Sequence, residues 1–347
     1  MLTLQDLRLP VIAAPMAGGA STPELVAAVN AAGGLGFLAA GYRSAAALGE
    51  QIARTRRLTD RPFGVNLFVP AATDPVALAG LPGYRARLLP EAAALGVELP
   101  ERIPPDDEDW AAKVEALLAD PVPLVSYTFG LPDAAEAAAL RAVGTAQLAT
   151  VTSPAEARAA AALGMDALCV QGPESGGHRG THRVAAEPGR EPLAALLAAV
   201  RDCVPLPLVA AGGLGDGPAI AAALAAGAAA VQLGTAYLLA DEAGTAPGHR
   251  AALTDPAFTD PAFTGTVLTR AFTGRVARGL RNAFTDRHAG QAPPAYPEVH
   301  HLTAPLRAAA ARAGRTDSMH LWAGTAYRLA RPGPAGEITE RLWRAAR

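Results

Sequence analysis

Lysine is almost missing from this chain. Lys113 is its single lysine in 347 residues, and arginine supplies every other basic side chain. Catalysis through a lysine Schiff base, including pyridoxal phosphate chemistry, would rest on that one residue. Lys113 falls in a polar, amphipathic stretch behind Asp106, Asp107 and Asp109 and reads as part of a solvated helix face, so this chemistry is set aside. Cysteine is nearly as scarce. Cys169 and Cys203 lie far apart and form no Cys-x-x-Cys pair, which argues against a disulfide framework and a thiolate metal site and leaves two free thiols in a reducing compartment.

A predominance of one charge is absent too. The formal net charge is -2 with acid and base interspersed, so neither a nucleic-acid stripe nor a basic membrane face is legible. No apolar run of about 18 residues is free of polar or turn residues, and Met1–Arg8 mixes acid and base without an apolar stretch. The expected setting is the cytoplasm and the expected partner a small molecule, with no nucleic acid and no membrane. Monomer and homodimer both stay open. No Gly-x-Gly-x-x-Gly follows the first apolar run, so the signature of a doubly wound dinucleotide-binding sheet is missing.

What is present is half hydrophobic, enough to bury a large core, and it is rhythmic. Short apolar runs alternate with alanine-rich helical stretches, the pattern of parallel strands joined by crossover helices. Strands are expected at residues 11–15, 36–40, 63–69, 124–128, 147–150, 167–171, 206–211 and 230–233. Eight of them predict an α/β fold, a closed (β/α)8 TIM barrel. Helix starts agree: Thr22-Pro23-Glu24 supplies a cap with proline at the first helical position, Ser153-Pro154-Ala155-Glu156 a capping box, and Asp216 a start after a glycine turn. Residues 70–105 and everything after about 241 break the rhythm. The expected division is a barrel over 1–240 with an insertion at about 70–105, and a smaller substrate-covering lobe over 241–347.

Barrel enzymes work at the C-terminal ends of their strands and often bind phosphate after strands 7 and 8. Here those positions carry Gly212-Gly213-Leu214-Gly215-Asp216-Gly217 and Gly234-Thr235, two glycine turns whose N–H groups can approach a phosphate. After the sixth strand comes Gln171-Gly172-Pro173-Glu174-Ser175-Gly176-Gly177-His178-Arg179-Gly180, the densest polar and glycine cluster in the chain. His178 in it is the candidate catalytic residue, as a general base or as a cation beside an anionic substrate. His178 and His182 have the i, i+4 spacing of a metal pair, but the glycines argue against the helix it needs; no metal is expected. His300 and His301 are adjacent, so their side chains point apart, and they read as surface or lobe residues. Ala14-Pro15-Met16 offers a rigid turn with a polarizable side chain for a flat ring. Asn66 and Gln171 are amides in apolar strands that need partners, which a ring edge would supply.

Together these residues resemble the nitronate monooxygenase family, in particular its bacterial class I members. The resemblance spans nearly the whole chain: Ala14-Pro15-Met16-Ala17-Gly18-Gly19 with Thr22-Pro23-Glu24-Leu25, Ala32-Gly33-Gly34-Leu35-Gly36, the Gln171-Gly172 and Gly176-Gly177-His178-Arg179-Gly180 loop, Ala211-Gly212-Gly213 with Asp216-Gly217, Gln232-Leu233-Gly234-Thr235, and Leu321-Trp322-Ala323-Gly324. Ser175 stands where the family commonly has alanine, and Pro173 precedes Glu174, departures that touch loop shape. The resemblance implies non-covalent FMN, its phosphate at the two glycine turns, bound by Ala14, Pro15, Met16, Asn66, Gln171, Gly176, Gly177, Gly212, Gly213, Gly234 and Thr235. It implies oxidation of an alkyl nitronate such as propionate 3-nitronate by O2, through a flavosemiquinone and without reduced nicotinamide. Tyr127, Tyr296 and Tyr327 are candidates for completing the substrate pocket. FMN-dependent NAD(P)H:quinone reductases and enoyl reductases share the barrel and the glycine-histidine loop and stay open as alternatives, as does a flavin-binding protein without turnover.

Overall fold

Strand by strand, the apolar runs pair in parallel and close on themselves. In the computed structural model, which describes Leu4 and residues 7–347, the barrel strands are β1 (Val11–Ala13), β2 (Leu35–Ala39), β3 (Gly64–Phe68), β4 (Leu124–Thr128), β5 (Ala146–Val151), β6 (Ala167–Gln171), β8 (Leu208–Ala211) and β9 (Ala230–Leu233). Their order is β1-β2-β3-β4-β5-β6-β8-β9, with β9 returning to β1 through Ile12 opposite Gln232. The predicted closed α/β barrel is what the chain forms. The segment Met1–Arg8, read above for export signals, lies partly outside the described residues; among those described, no helix is long and apolar enough to cross a membrane.

Alternation along each strand divides the side chains between two cores. Ile12, Leu35, Phe37, Leu124, Leu148, Cys169 and Val209 fill the barrel, while Val11, Leu38, Val65, Val125, Leu168 and Val231 meet the surrounding helices. Gly64 is part of this fit, because a Cβ there would lie 2.2 Å from the Phe37 ring. The helices start where the capping residues stand: Thr22, Ser153 and Asp216 each accept a hydrogen bond from the third residue on. At Ser153 only half of the expected capping box forms. The Glu156 carboxylate passes over the Ser153 N–H to take those of Thr152 (2.6 Å) and His182 (2.9 Å), tying the helix start to the loop after β6.

The irregular regions build one body on the barrel mouth. The helix Leu81–Ala94 of the insertion shares a core with later segments, Tyr84 and Leu88 packing with Phe272, Phe284, Val299 and Leu302. A three-stranded antiparallel sheet stands beside it: β7 (Gly177–His178), β10 (Thr266–Thr269) and β11 (Ala277–Leu280), in the order β10-β11-β7. The last helix, Ala335–Ala345, returns to the barrel and packs between the helices Pro23–Ala31 and Gly217–Ala225, with Ile338 and Leu342 in the outer core. It takes the eighth helical position around the barrel, about a hundred residues after the eighth strand.

Lys113 departs from the sequence expectation. It lies buried rather than on a solvated face, its Nζ donating to Ala40 O at 3.0 Å and standing 3.4 Å from Glu108 Oε2. A lone buried ammonium is costly, and Glu108 supplies the counter-charge.

Candidate active site

The strand ends open into one cavity of about 310 Å³, within the range of small-molecule and cofactor sites. Ala14, Pro15, Met16, Asn66, Gln171, Gly176, Gly177, His178, Gly212, Gly213, Gly234 and Thr235 all line it, brought together from five barrel strand ends and the loop after β6.

Its floor and rim are fixed by backbone constraints. Ser21 pins the turn after β1: its hydroxyl accepts from Met16 N at 2.9 Å and donates to Ala14 O. Gly212 (φ +124°) and Gly213 (φ +70°) take left-handed conformations, and a Cβ on Gly212 would sit 2.7 Å from Ser175 Oγ. Among the described residues, the N–H groups of Gly213, Gly234 and Thr235 have no protein acceptor. All three residues line the cavity, so these two turns present free donors of the kind a phosphate can accept from. Thr235 Oγ1 accepts from Gly324 N at 2.9 Å, and Gly176 lies so close to Ala323 and Gly324 that a Cβ would be 2.5 Å from Gly324 N. The Leu321–Gly324 segment is thereby stitched against the turn after β9 and the loop after β6.

The amides divide in role. Asn66 Nδ2 donates to Ser126 Oγ (2.9 Å) and Thr128 Oγ1 (3.0 Å), which leaves Oδ1 as its unused acceptor. Gln171 is held in the loop: its Nε2 donates to His178 O at 2.9 Å and its Oε1 accepts from Gly180 N at 2.8 Å, which leaves one Nε2 proton unused. Gln171 therefore shapes the loop while it lines the cavity. Gln232 Nε2 donates to Cys169 Sγ (3.4 Å) on the cavity floor, and both cysteines are free thiols.

His178 is held by the lobe. In β7 it pairs with Ala277, its carbonyl is tied by Gln171, and Arg179 N donates to Val276 O. Its ring lies edge-on to Phe129 (5.6 Å between centroids) and near Tyr296 (5.9 Å) and Trp322 (5.5 Å). Its Nε2 is 2.9 Å from Thr273 Oγ1, and Thr273 donates its one proton to Arg275 O. His178 must then donate from Nε2, which leaves the lone pair on Nδ1 with no protein partner. Burial, reinforced by Arg275 and Arg307, pushes its pKa from 6.5 down to about 3, so the ring is neutral at working pH. His182 turns elsewhere, its Nε2 3.0 Å from Thr150 O, and no metal-binding cluster occurs among the described residues.

The three tyrosines separate. Tyr127 is buried in the outer core with its hydroxyl on Gln147 Oε1, and Tyr327 donates to Phe258 O at 2.6 Å; neither lines the cavity. Tyr296 stands just behind it, against Phe129 and His178. Among the lining aromatic side chains that escape the sequence reading are Tyr42 after β2, Phe129 after β4, and His249 and His320 further on; Tyr42 and Phe129 hold positive φ, 65° and 80°. His300 and His301 sit on the helix Glu298–Arg312 and point apart as expected: His300 stacks on Tyr42 at 4.2 Å, while His301 turns away to Asp106 Oδ2.

Comparison with known proteins agrees with this geometry. The family model described as nitronate monooxygenase matches residues 2–344. A probable nitronate monooxygenase of Staphylococcus aureus strain Newman is 35% identical over 344 residues, covering 97% of this chain and 94% of its own. A solved structure of nitroalkane oxidase from Streptomyces ansochromogenes is 50% identical, with a TM-score of 0.93 over 99% of this chain and 97% of that one. FabK from Thermotoga maritima is similar at 26% identity and a TM-score of 0.74, over 99% and 94%. A barrel whose strand-end glycines, histidine loop and returning C-terminal segment all meet at one cavity, with matches across its full length, belongs to the nitronate monooxygenase family and is an oxidoreductase.

Proposed function

We propose that this enzyme oxidises alkyl nitronates, of the size of propionate 3-nitronate, with FMN as the resident cofactor and O2 as the final electron acceptor. The observation that carries the reading is His178, a neutral imidazole with an unused Nδ1 at the wall of a cavity whose far side is a cradle of unpaired N–H groups. The residues present suit the cofactor. The turns at Gly212–Gly213 and Gly234–Thr235 would hold the phosphate, the Ala14–Met16 turn the face of the ring and Asn66 its edge. Bound there, the flavin supplies an acceptor for the substrate's electrons.

The protein's own part is placement and proton handling. A nitronate is already an anion and needs no base; a neutral nitroalkane must first lose the proton from the carbon beside its nitro group, and Nδ1 of His178 is the free acceptor on the wall. Phe129, Trp322 and Tyr296 pack around the ring and fix its orientation.

The test is the visible spectrum of the purified protein, followed by anaerobic mixing with propionate 3-nitronate and, separately, with NADH. Bleaching of the flavin by nitronate alone is the expected result. Bleaching by NADH with no response to nitronate would move the assignment to the quinone or enoyl reductases, and protein that binds no FMN would end the reading.

A further inference from the structure

Tyr42 occupies a costly conformation. It is one of four non-glycine residues with positive φ among those described, at 65°, and it lines the cavity. Such strain persists only where the surroundings over-determine it, and it gathers at functional sites. The surroundings here are specific. The Glu108 carboxylate accepts from the Tyr42 N–H at 2.8 Å and is itself held beside Lys113. The ring lies flat on His300 at 4.2 Å and edge-on to Phe68 at 5.4 Å. Buried charge has thus been committed to keeping this one side chain in place.

Its hydroxyl is aimed by a second phenol. Tyr296 donates to Tyr42 Oη at 3.3 Å, so the proton of Tyr42 is not used between them and remains for another acceptor. Behind the pair stand two buried guanidinium groups. Arg275 lies over the Phe129 face at 4.0 Å and the Tyr296 face at 5.2 Å, with its Nε unpartnered, and Arg307 bonds His300 and Thr303. Neither has a carboxylate partner among the described residues. Uncompensated positive charge in a low-dielectric wall favours a negative ligand in front of it.

We infer that Tyr42 is the substrate-positioning donor of this enzyme: its hydroxyl hydrogen-bonds an anionic oxygen of the nitronate, with Tyr296 fixing its direction and Arg275 and Arg307 supplying the field. This rests on the nitronate reading above. The phenol stays protonated at working pH, since burial raises its pKa to about 12.

A hydrogen bond to a charged group corresponds to roughly a 10- to 100-fold change in affinity. Tyr42→Phe keeps the ring on His300 and Phe68 and removes only the hydroxyl. With FMN content and Tm unchanged, KM for ethyl nitronate should rise at least about tenfold with kcat within about threefold, the mark of lost binding rather than lost chemistry, and KM for neutral nitroethane should move less. Tyr296→Phe, which leaves Tyr42 its hydroxyl but not its aim, should raise the nitronate KM about threefold, and it serves as the test on its own if the first variant does not fold. An unchanged nitronate KM in the folded variant, beside an active wild type, would overturn the role of Tyr42 alone. A flavin-loaded wild type that turns over neither compound would overturn the nitronate reading and this inference with it.

Discussion

Two buried charges deep in the wall show how residue-scale physics sets the site. Lys113 and Glu108 are both almost wholly buried, and Glu108 Oε2 serves at once the ammonium, 3.4 Å away, and the Tyr42 N–H. Removing one member strands the other charge, which costs about 3–5 kcal/mol. Lys113→Met is expected to lose about that much in urea denaturation, and the double variant Lys113→Met, Glu108→Gln to recover part of it. Two histidines that line the cavity, His178 and His249, respond to pH in one direction. Burial holds His178 at about 3 and His249 at about 4, against 6.5 in the unfolded chain. Between those values and 6.5 the unfolded chain binds more protons than the folded one, so stability falls as pH drops through that window and is insensitive to these groups above it. Melting followed from pH 8 to pH 4.5 should show a flat upper limb and a decline below about pH 6.5 that His249→Gln makes shallower. Of this layer the sequence disclosed His178, through the glycines around it. Lys113, Tyr42 and Phe129 were hidden, because an acidic flank reads as solvated and a positive φ leaves no mark on a tyrosine or phenylalanine.

Among the elements, the barrel strands were legible to within one or two residues, because eight short apolar runs with caps between them have few other ways to pair. The two glycine turns were legible as well, and the structure tells their members apart. Gly213 holds φ +70° with Glu174 Cβ 2.9 Å from where its own Cβ would stand, whereas Gly234 has negative φ and only ordinary contacts at 3.6 Å and beyond. Gly213→Ala is therefore expected to lose most of its FMN on gel filtration and to lower Tm, and Gly234→Ala to keep its Tm even where FMN binding weakens. Equal Tm values for the two variants would contradict the distinction. The short strand β7 was not legible: two residues, Gly177–His178, pair with Arg278 and Ala277 a hundred positions later, and no local pattern announces a bond that long.

At the scale of the whole molecule, the feature the sequence concealed most completely is the source of the eighth helix. The lobe intervenes between β9 and Ala335–Ala345, so a rhythm read along the chain ends before the barrel is finished. The structure makes the helix part of the outer core: Ile338 and Leu342 are 2% exposed, Thr339 Oγ1 lies 2.8 Å from the Tyr237 hydroxyl, and Ala335 N donates to Glu242. Its neighbours are the helix Pro23–Ala31, which opens at the Met16 turn's far end, and Gly217–Ala225, whose N-terminus follows the Gly212–Gly213 turn. Leu342→Ala should cost about 2–5 kcal/mol, as deletion of a buried leucine side chain does. Because the helix clamps the two elements that carry the turns proposed to meet the flavin ring and its phosphate, the loss should also appear as faster FMN release in a fluorescence dilution experiment, although Leu342 lines no part of the cavity. A variant destabilised by that amount with an unaltered FMN off-rate would show that the last helix supports the barrel without holding its site.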